Sequence, residues 1–138
     1  MFEHILLPVD LTHKNDVAIA AVGDLLDAGG IVTLLHVIET IADAPFEDMK
    51  DFYQRLEDKA RSGMSAMARE LSEAGLQVDQ HVVYGRRAPE IVSFAAEREV
   101  DLILLSSAPL DPENPGAAWA SISHQVAILA RSPVLLLK

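Results

Sequence analysis

The chain contains no cysteine. Disulfides, thiol nucleophiles and thiolate metal sites are therefore excluded. Basic residues are scarce: 11 Lys and Arg stand against 21 Asp and Glu, for a formal charge of -10. Such a surface repels nucleic acid and anionic membranes, and neither is expected as a partner. The same field opposes a polyphosphate ligand unless local donors overcome it. No stretch approaches the roughly 18 apolar residues that a membrane span requires. The opening Met1-Phe2-Glu3-His4 has no basic segment before an apolar run, so no secretory signal is read. A cytoplasmic location is expected by elimination. The histidines at 4, 13, 36, 81 and 124 have no short metal-ligand spacing, and no metal is expected. A nucleophile elbow, paired catalytic carboxylates and a Walker-type lysine are all missing. No catalytic residue is assigned, and the reading is against an enzyme.

What is present is apolar and ordered. Half of the 138 residues are hydrophobic, which fits one domain over 1–138 with one core and argues against disorder. Residues 2–9 read as a buried strand. Residues 14–28 read as a helix with Val17, Ala21, Leu25 and Ala28 on one face, ended by Gly29-Gly30. Residues 31–37 form a second buried strand. A long helix is expected over 48–74, with Met49, Phe52, Leu56, Ala60, Met67, Leu71 and Ala74 at helical spacing and Gly75 as its C-terminal cap. A more polar strand follows at 77–84, broken by Gly85. Pro89 suits the first turn of a helix over 88–98. Residues 101–105 are a fourth strand, 106–118 a Pro-rich loop, 121–130 a short helix, and 133–137 a fifth strand. Strict alternation of apolar strands with helices predicts an α/β fold: a parallel sheet covered on both faces, doubly wound.

These residues, in this order, resemble the universal stress protein family. The resemblance is carried by His4-Ile-Leu-Leu-Pro-Val-Asp10, Leu34-Leu-His-Val37, Gly85 to Ile91, Asp101-Leu-Ile-Leu and Ala130-Arg-Ser-Pro-Val-Leu-Leu137. It covers the whole chain. It implies a three-layer fold with a five-stranded sheet ordered 3-2-1-4-5, of the adenine nucleotide alpha hydrolase-like type. Ligands of such sheets sit beyond the carboxyl ends of the strands where the winding reverses. By resemblance that place is lined by Pro8, Val9 and Asp10, by Val37, by Leu105 and Ser106, and by Pro109, Ala120, Ser121 and Ile122. The first strand is not followed by a Ser-Gly-Gly phosphate loop, which speaks against pyrophosphatase relatives of the same architecture.

ATP-binding members of the family carry G-x2-G-x9-G-[S/T] after the fourth strand. Glycines there let the backbone approach phosphates, backbone N–H groups form an anion nest, and the final pair opens a helix whose dipole favours negative charge. This chain reads Ser106-Ser-Ala-Pro109, ten further residues, then Ala120-Ser121. The three glycines are replaced, and the spacer is one residue longer. Pro109 removes a donor, Ala120 adds a methyl group, and Asp111 and Glu113 add negative charge. Asp10 and Ser121 remain at the positions that the family uses for the adenosine and phosphate ends.

Two readings follow. In one, the pocket persists but takes no ATP, and no cofactor is required. In the other, an adenine nucleotide smaller than ATP, such as AMP, still binds through Asp10 and Ser121 at low affinity. The implied role is that of a regulatory stress-response protein with a protein partner the sequence does not name. The alternative is an ATP- or AMP-binding stress protein with weak hydrolase activity. His36 is read as a strand-end histidine with a satisfied ring. Arg86-Arg87, at the carboxyl edge of the sheet after the third strand, is read as a solvated turn, with facing an anion near the pocket as the alternative, and Trp119 as packing or a pocket cap. The last strand, Val134-Leu-Leu-Leu137, is an apolar sheet edge. It predicts a homodimer on 133–137 with the flanking helix 121–130, which the resemblance also implies.

Overall fold

The computed structural model describes residues 1–106, 112–113 and 121–138. Its centre is β1 (Phe2–Pro8), with Ile5, Leu6 and Leu7 fully buried. On one side β1 pairs with β2 (Leu26–Glu39), which pairs with β3 (Gln77–Gly85). On the other it pairs with β4 (Leu102–Ser106), which pairs with β5 (Val134–Leu137). All pairings are parallel, and the order is β3-β2-β1-β4-β5. The order is the one expected.

Successive strand residues point to opposite faces, so β1 feeds two separate cores. Ile5 and Leu7 join Val22 of α1 (Asp16–Leu25) and Met64 and Leu71 of α2 (Lys50–Glu73). Leu6 joins Ile91 and Phe94 of α3 (Arg87–Glu97) and Val126 of α4 (Ile122–Leu129). Burial on both faces explains why the central strands read as unbroken apolar runs. β3, at one edge, exposes Gln77, Asp79 and Gln80. Edge strands tolerate such residues.

The first helix differs from the expectation. It ends at Leu25, not 28, and it buries Ala18, Ile19 and Val22 while Val17 is 51% exposed. The alanines at 18, 20 and 21 leave the apolar stripe ambiguous by one residue, and Ile19 decides it. Gly29 and Gly30 do not cap the helix; they lie within β2. The β1–β2 register slips between Phe2 and His4. Gly29 takes φ +82 there, and a Cβ on Gly30 would stand 2.8 Å from the Glu3 carbonyl oxygen. β2 therefore starts well before residue 31.

The long helix is also rotated relative to its predicted face. Ala60 and Leu71 are buried as expected, but Tyr53, Met64 and Ala68 complete the stripe, and Phe52 is exposed. Tyr53 can be buried because its hydroxyl accepts from Ile41 N–H at 2.7 Å. Beyond the helix, Gly75 takes φ +90 and its N–H bonds Ser72 O, while Leu76 N–H bonds Leu71 O. That is the expected glycine cap. The predicted loop at 106–118 lies almost wholly outside the described residues.

Two glycines should respond oppositely to alanine. Gly30→Ala forces a Cβ against backbone and should cost about 1–3 kcal/mol. Gly23→Ala, inside α1, meets only Leu76 Cδ1 at 3.8 Å and should gain up to ~1 kcal/mol of helix propensity. Urea unfolding of both variants checks the pair. Equal effects would contradict the bulge geometry.

Candidate functional site

β1 connects onward to β2 on one side, while its other neighbour, β4, connects onward to β5. The winding reverses between β1 and β4, and a cleft of about 240 Å³ lies at their carboxyl ends. Pro8, Val9 and Asp10 enter it from the end of β1, and Leu35, His36 and Val37 from β2. Leu105 and Ser106 close it from β4, and Ser121, Ile122 and Ser123 from the start of α4. The structure thus brings together the nominated Pro8, Val9, Asp10, Val37, Leu105, Ser106, Ser121 and Ile122. Pro109 and Ala120, and with them Asp111 and Trp119, lie outside the described residues.

Asp10 is held by a tight turn. Its Oδ1 accepts from Thr12 Oγ1 at 2.6 Å, Thr12 N–H at 2.9 Å and Asn15 Nδ2 at 3.0 Å. Asn15 is 4% exposed. Its amide also donates to Asp10 O at 2.7 Å and Thr12 O at 2.9 Å, and its Oδ1 accepts from Asp10 N–H. Partial burial alone would raise the Asp10 pKa. The Thr12 and Asn15 bonds, with the nearby Lys14 charge, outweigh it and hold the carboxyl below the usual carboxylate range. All three bonds converge on Oδ1, and among the described residues none is made to Oδ2.

The β1 end is fixed from the β2 side as well. Val9 N–H donates to Leu35 O at 2.8 Å, and His36 Nδ1 lies 2.8 Å from Val9 O. A carbonyl only accepts, so Nδ1 carries the proton. The ring is satisfied, as expected, yet it also faces the cleft. On β4, the Ser106 Oγ is buried with no hydrogen-bond partner among the described residues. A hydroxyl in that condition is costly, and Ser106 lines the cleft.

Sequence reasoning did not nominate Lys14, Asn15, Leu35, His36, Ile91 or Ser123 as lining residues. For Arg87 it favoured a solvated turn over a place near the pocket; Arg87 lines the cleft, with its Nε 2.8 Å from Glu39 Oε1 and about half of each side chain exposed. Its position just past the carboxyl end of β3 was the available signal. At α4, Ser121 is the N-cap, accepting from His124 N–H at 3.3 Å. Its Oγ also lies 2.7 Å from His124 Nδ1 and 3.2 Å from Ser123 Oγ. Among the described residues no group of three or more His, Cys, Asp or Glu could hold a metal ion, and no helix is long and apolar enough to cross a membrane.

A family model for the universal stress protein family matches residues 1–138. Among solved structures, the chain is similar to the hypothetical protein MJ0577, at 27% identity over 100% of this chain and 96% of that one, with a TM-score of 0.84. It is also similar to a universal stress protein in complex with cAMP, at 17% identity over 99% and 97%, TM-score 0.72. A third is the universal stress protein from Archaeoglobus fulgidus in complex with dAMP, at 18% identity over 99% and 98%, TM-score 0.70. No curated protein sequence matches the chain. The family match spans the same residues that build the sheet and its cleft, and on it the chain belongs to the universal stress protein family.

Proposed function

We propose that this is a cytoplasmic regulatory stress-response protein that acts by binding and dimerising, and that its cleft takes an adenine mononucleotide weakly while ATP does not bind tightly. The observation that carries this is Asp10: a charged acceptor fixed through Oδ1, with no bond to Oδ2 among the described residues, at the winding reversal. A carboxylate in that state suits the hydroxyls or amine of a nucleoside. Ser106 Oγ, without a partner among the described residues, offers a second polar contact. Lys14 and Arg87 supply the positive charge that a single phosphate requires in a chain of charge -10.

A cleft of about 240 Å³ falls below the common range of ~300–1,000 Å³ for ligand pockets, which favours a small ligand. Pro109 removes one backbone donor that a triphosphate would use, at roughly 1 kcal/mol net, and Ser106 and Ala120 carry side chains at motif positions where glycines would let the backbone approach the phosphates. The similar proteins solved with cAMP and dAMP carry one phosphate each, in line with this size class. In this reading, regulation passes to a partner protein through the nucleotide-sensitive surface around the cleft.

Calorimetry should give ATP a Kd no tighter than ~1 mM, near -4 kcal/mol, with AMP at least tenfold tighter. Asp10→Ala should weaken AMP by tenfold or more. Micromolar ATP affinity, or AMP binding unaffected by Asp10→Ala, would overturn the reading.

Dimerisation rests on β5, the second sheet edge. Leu135 on β5 is 37% exposed, and Ile128 and Leu129 on α4 are 68% and 55% exposed. Val134 and Leu136 pack into the core beside α3 and α4, so Leu135 is the β5 side chain best placed to meet a second copy. Antiparallel pairing of two β5 strands about a twofold axis would satisfy the open edge and cover these residues. Light scattering at micromolar concentration should report a dimer, and Leu135→Lys should yield monomer. A monomeric unmodified chain would refute the assembly.

A further inference from the structure

The start of α4 carries a hydrogen bond that helix capping does not require. An N-cap serine needs only to accept from a backbone N–H one turn on, and Ser121 does so from His124 N–H at 3.3 Å. Its Oγ also stands 2.7 Å from the Nδ1 of the same histidine. A serine oxygen can accept from the N–H and donate its own hydrogen to Nδ1 at once. Hydroxyl and ring are then coupled as nucleophile and base, in a cleft rather than on a closed surface, because Ser121, Ile122 and Ser123 all line it.

We propose that Ser121 is an activated nucleophile with His124 as its general base, and that the cleft accepts a carboxylic ester as acyl donor. The inference goes beyond reversible binding and does not depend on which nucleotide the cleft holds. With the ring proton on Nε2, Nδ1 takes the hydroxyl proton as the Ser121 Oγ–acyl carbon bond forms. The ester C–O bond breaks, and the leaving alcohol departs with that proton. Water then attacks the acyl-serine and gives a proton to His124, which returns it to Ser121 Oγ as the acyl C–O bond breaks, releasing the carboxylic acid and free Ser121.

Three features support the step. His124 N–H already points at Oγ, so it stabilises negative charge there as the proton leaves. Ser121 sits at the positive end of the α4 dipole, which favours an alkoxide and an oxyanion beside it. The Ile122 N–H, first in α4, has no intrahelical carbonyl to bond and is suited to a tetrahedral oxyanion. The apolar walls, Val9, Val37, Leu105 and Ile122, suit the acyl chain of an uncharged ester.

A fluorophosphonate probe tests this directly. Its attack forms a Ser121 Oγ–P bond, breaks P–F, releases fluoride and sends the proton to His124. Native full-length chain should take up one adduct, mapped to Ser121 by peptide mass spectrometry. Ser121→Ala should take up none, and Ser65→Ala, on the exposed face of α2 away from the cleft, should label as the unmodified chain does. His124→Gln should label at least tenfold more slowly. Glutamine suits the third helical position of a capping box, so its melting temperature should be unchanged and the loss attributable to the base. Heat-denatured chain should not label. The proposal is overturned by absence of a Ser121 adduct on the native chain, by His124→Gln labelling as fast as the unmodified chain, or by labelling that survives denaturation.

Discussion

Burial of β1 on both faces is the constraint from which the rest of the fold follows. Ile5 and Leu7 point into one core, Leu6 into the other, and each is fully buried. A strand with no solvent face must be covered by helices on both sides and flanked by strands on both edges. Parallel neighbours then require crossovers, and β1 at the middle of the order makes the winding reverse beside it. The cleft is the consequence, because the connections leaving β1 and β4 diverge at that point.

Local chemistry after Pro8 decides what this cleft offers. The strand ends in Asp10, and Thr12 and Asn15 fold back onto the same carboxylate oxygen. Asn15 is the pivot, with its amide nitrogen shared among three oxygens while its own oxygen accepts from Asp10 N–H. Asp10 therefore carries charge in a cleft whose walls are largely apolar. Because its folded-state pKa is depressed, stabilisation from this turn is complete above the unfolded-chain value and is lost as pH falls through the folded value. A second pinned network stands at the outer end of β3. The Tyr84 hydroxyl donates to Glu57 at 2.7 Å, and burial together with that carboxylate pushes its pKa up to about 12.

Strand identity was legible because β1, β4 and the buried part of β2 are rich in apolar residues, while the strand order came from the family resemblance, with which the polar β3 agrees as an edge. Helix phase was less legible. In α1 the alanines made two faces equivalent, and only packing selected Ile19 over Val17. Gly29-Gly30 has the appearance of a helix stop, yet it serves a register slip whose partner, Phe2, lies far away in sequence. At the cleft, the resemblance supplied Asp10 and Ser121, the residues with the motif positions. Arg87 was legible only as the lesser alternative, and Asn15 and Ser123 were not legible, since each owes its place to tertiary geometry: a helix start meeting the end of β2, a turn folding back, a first turn of α4 facing inward.

The central claim is that the turn after β1 presents Asp10 as a fixed, ionised acceptor. The most direct test is an NMR pH titration of the Asp10 side-chain carboxyl carbon, in the unmodified chain and in Asn15→Ala. The account predicts a pKa below the ~3.9 of an unperturbed aspartate, moving upward when the Asn15 donor is removed. A titration at or above that value in the unmodified chain, or one insensitive to Asn15→Ala, would contradict it.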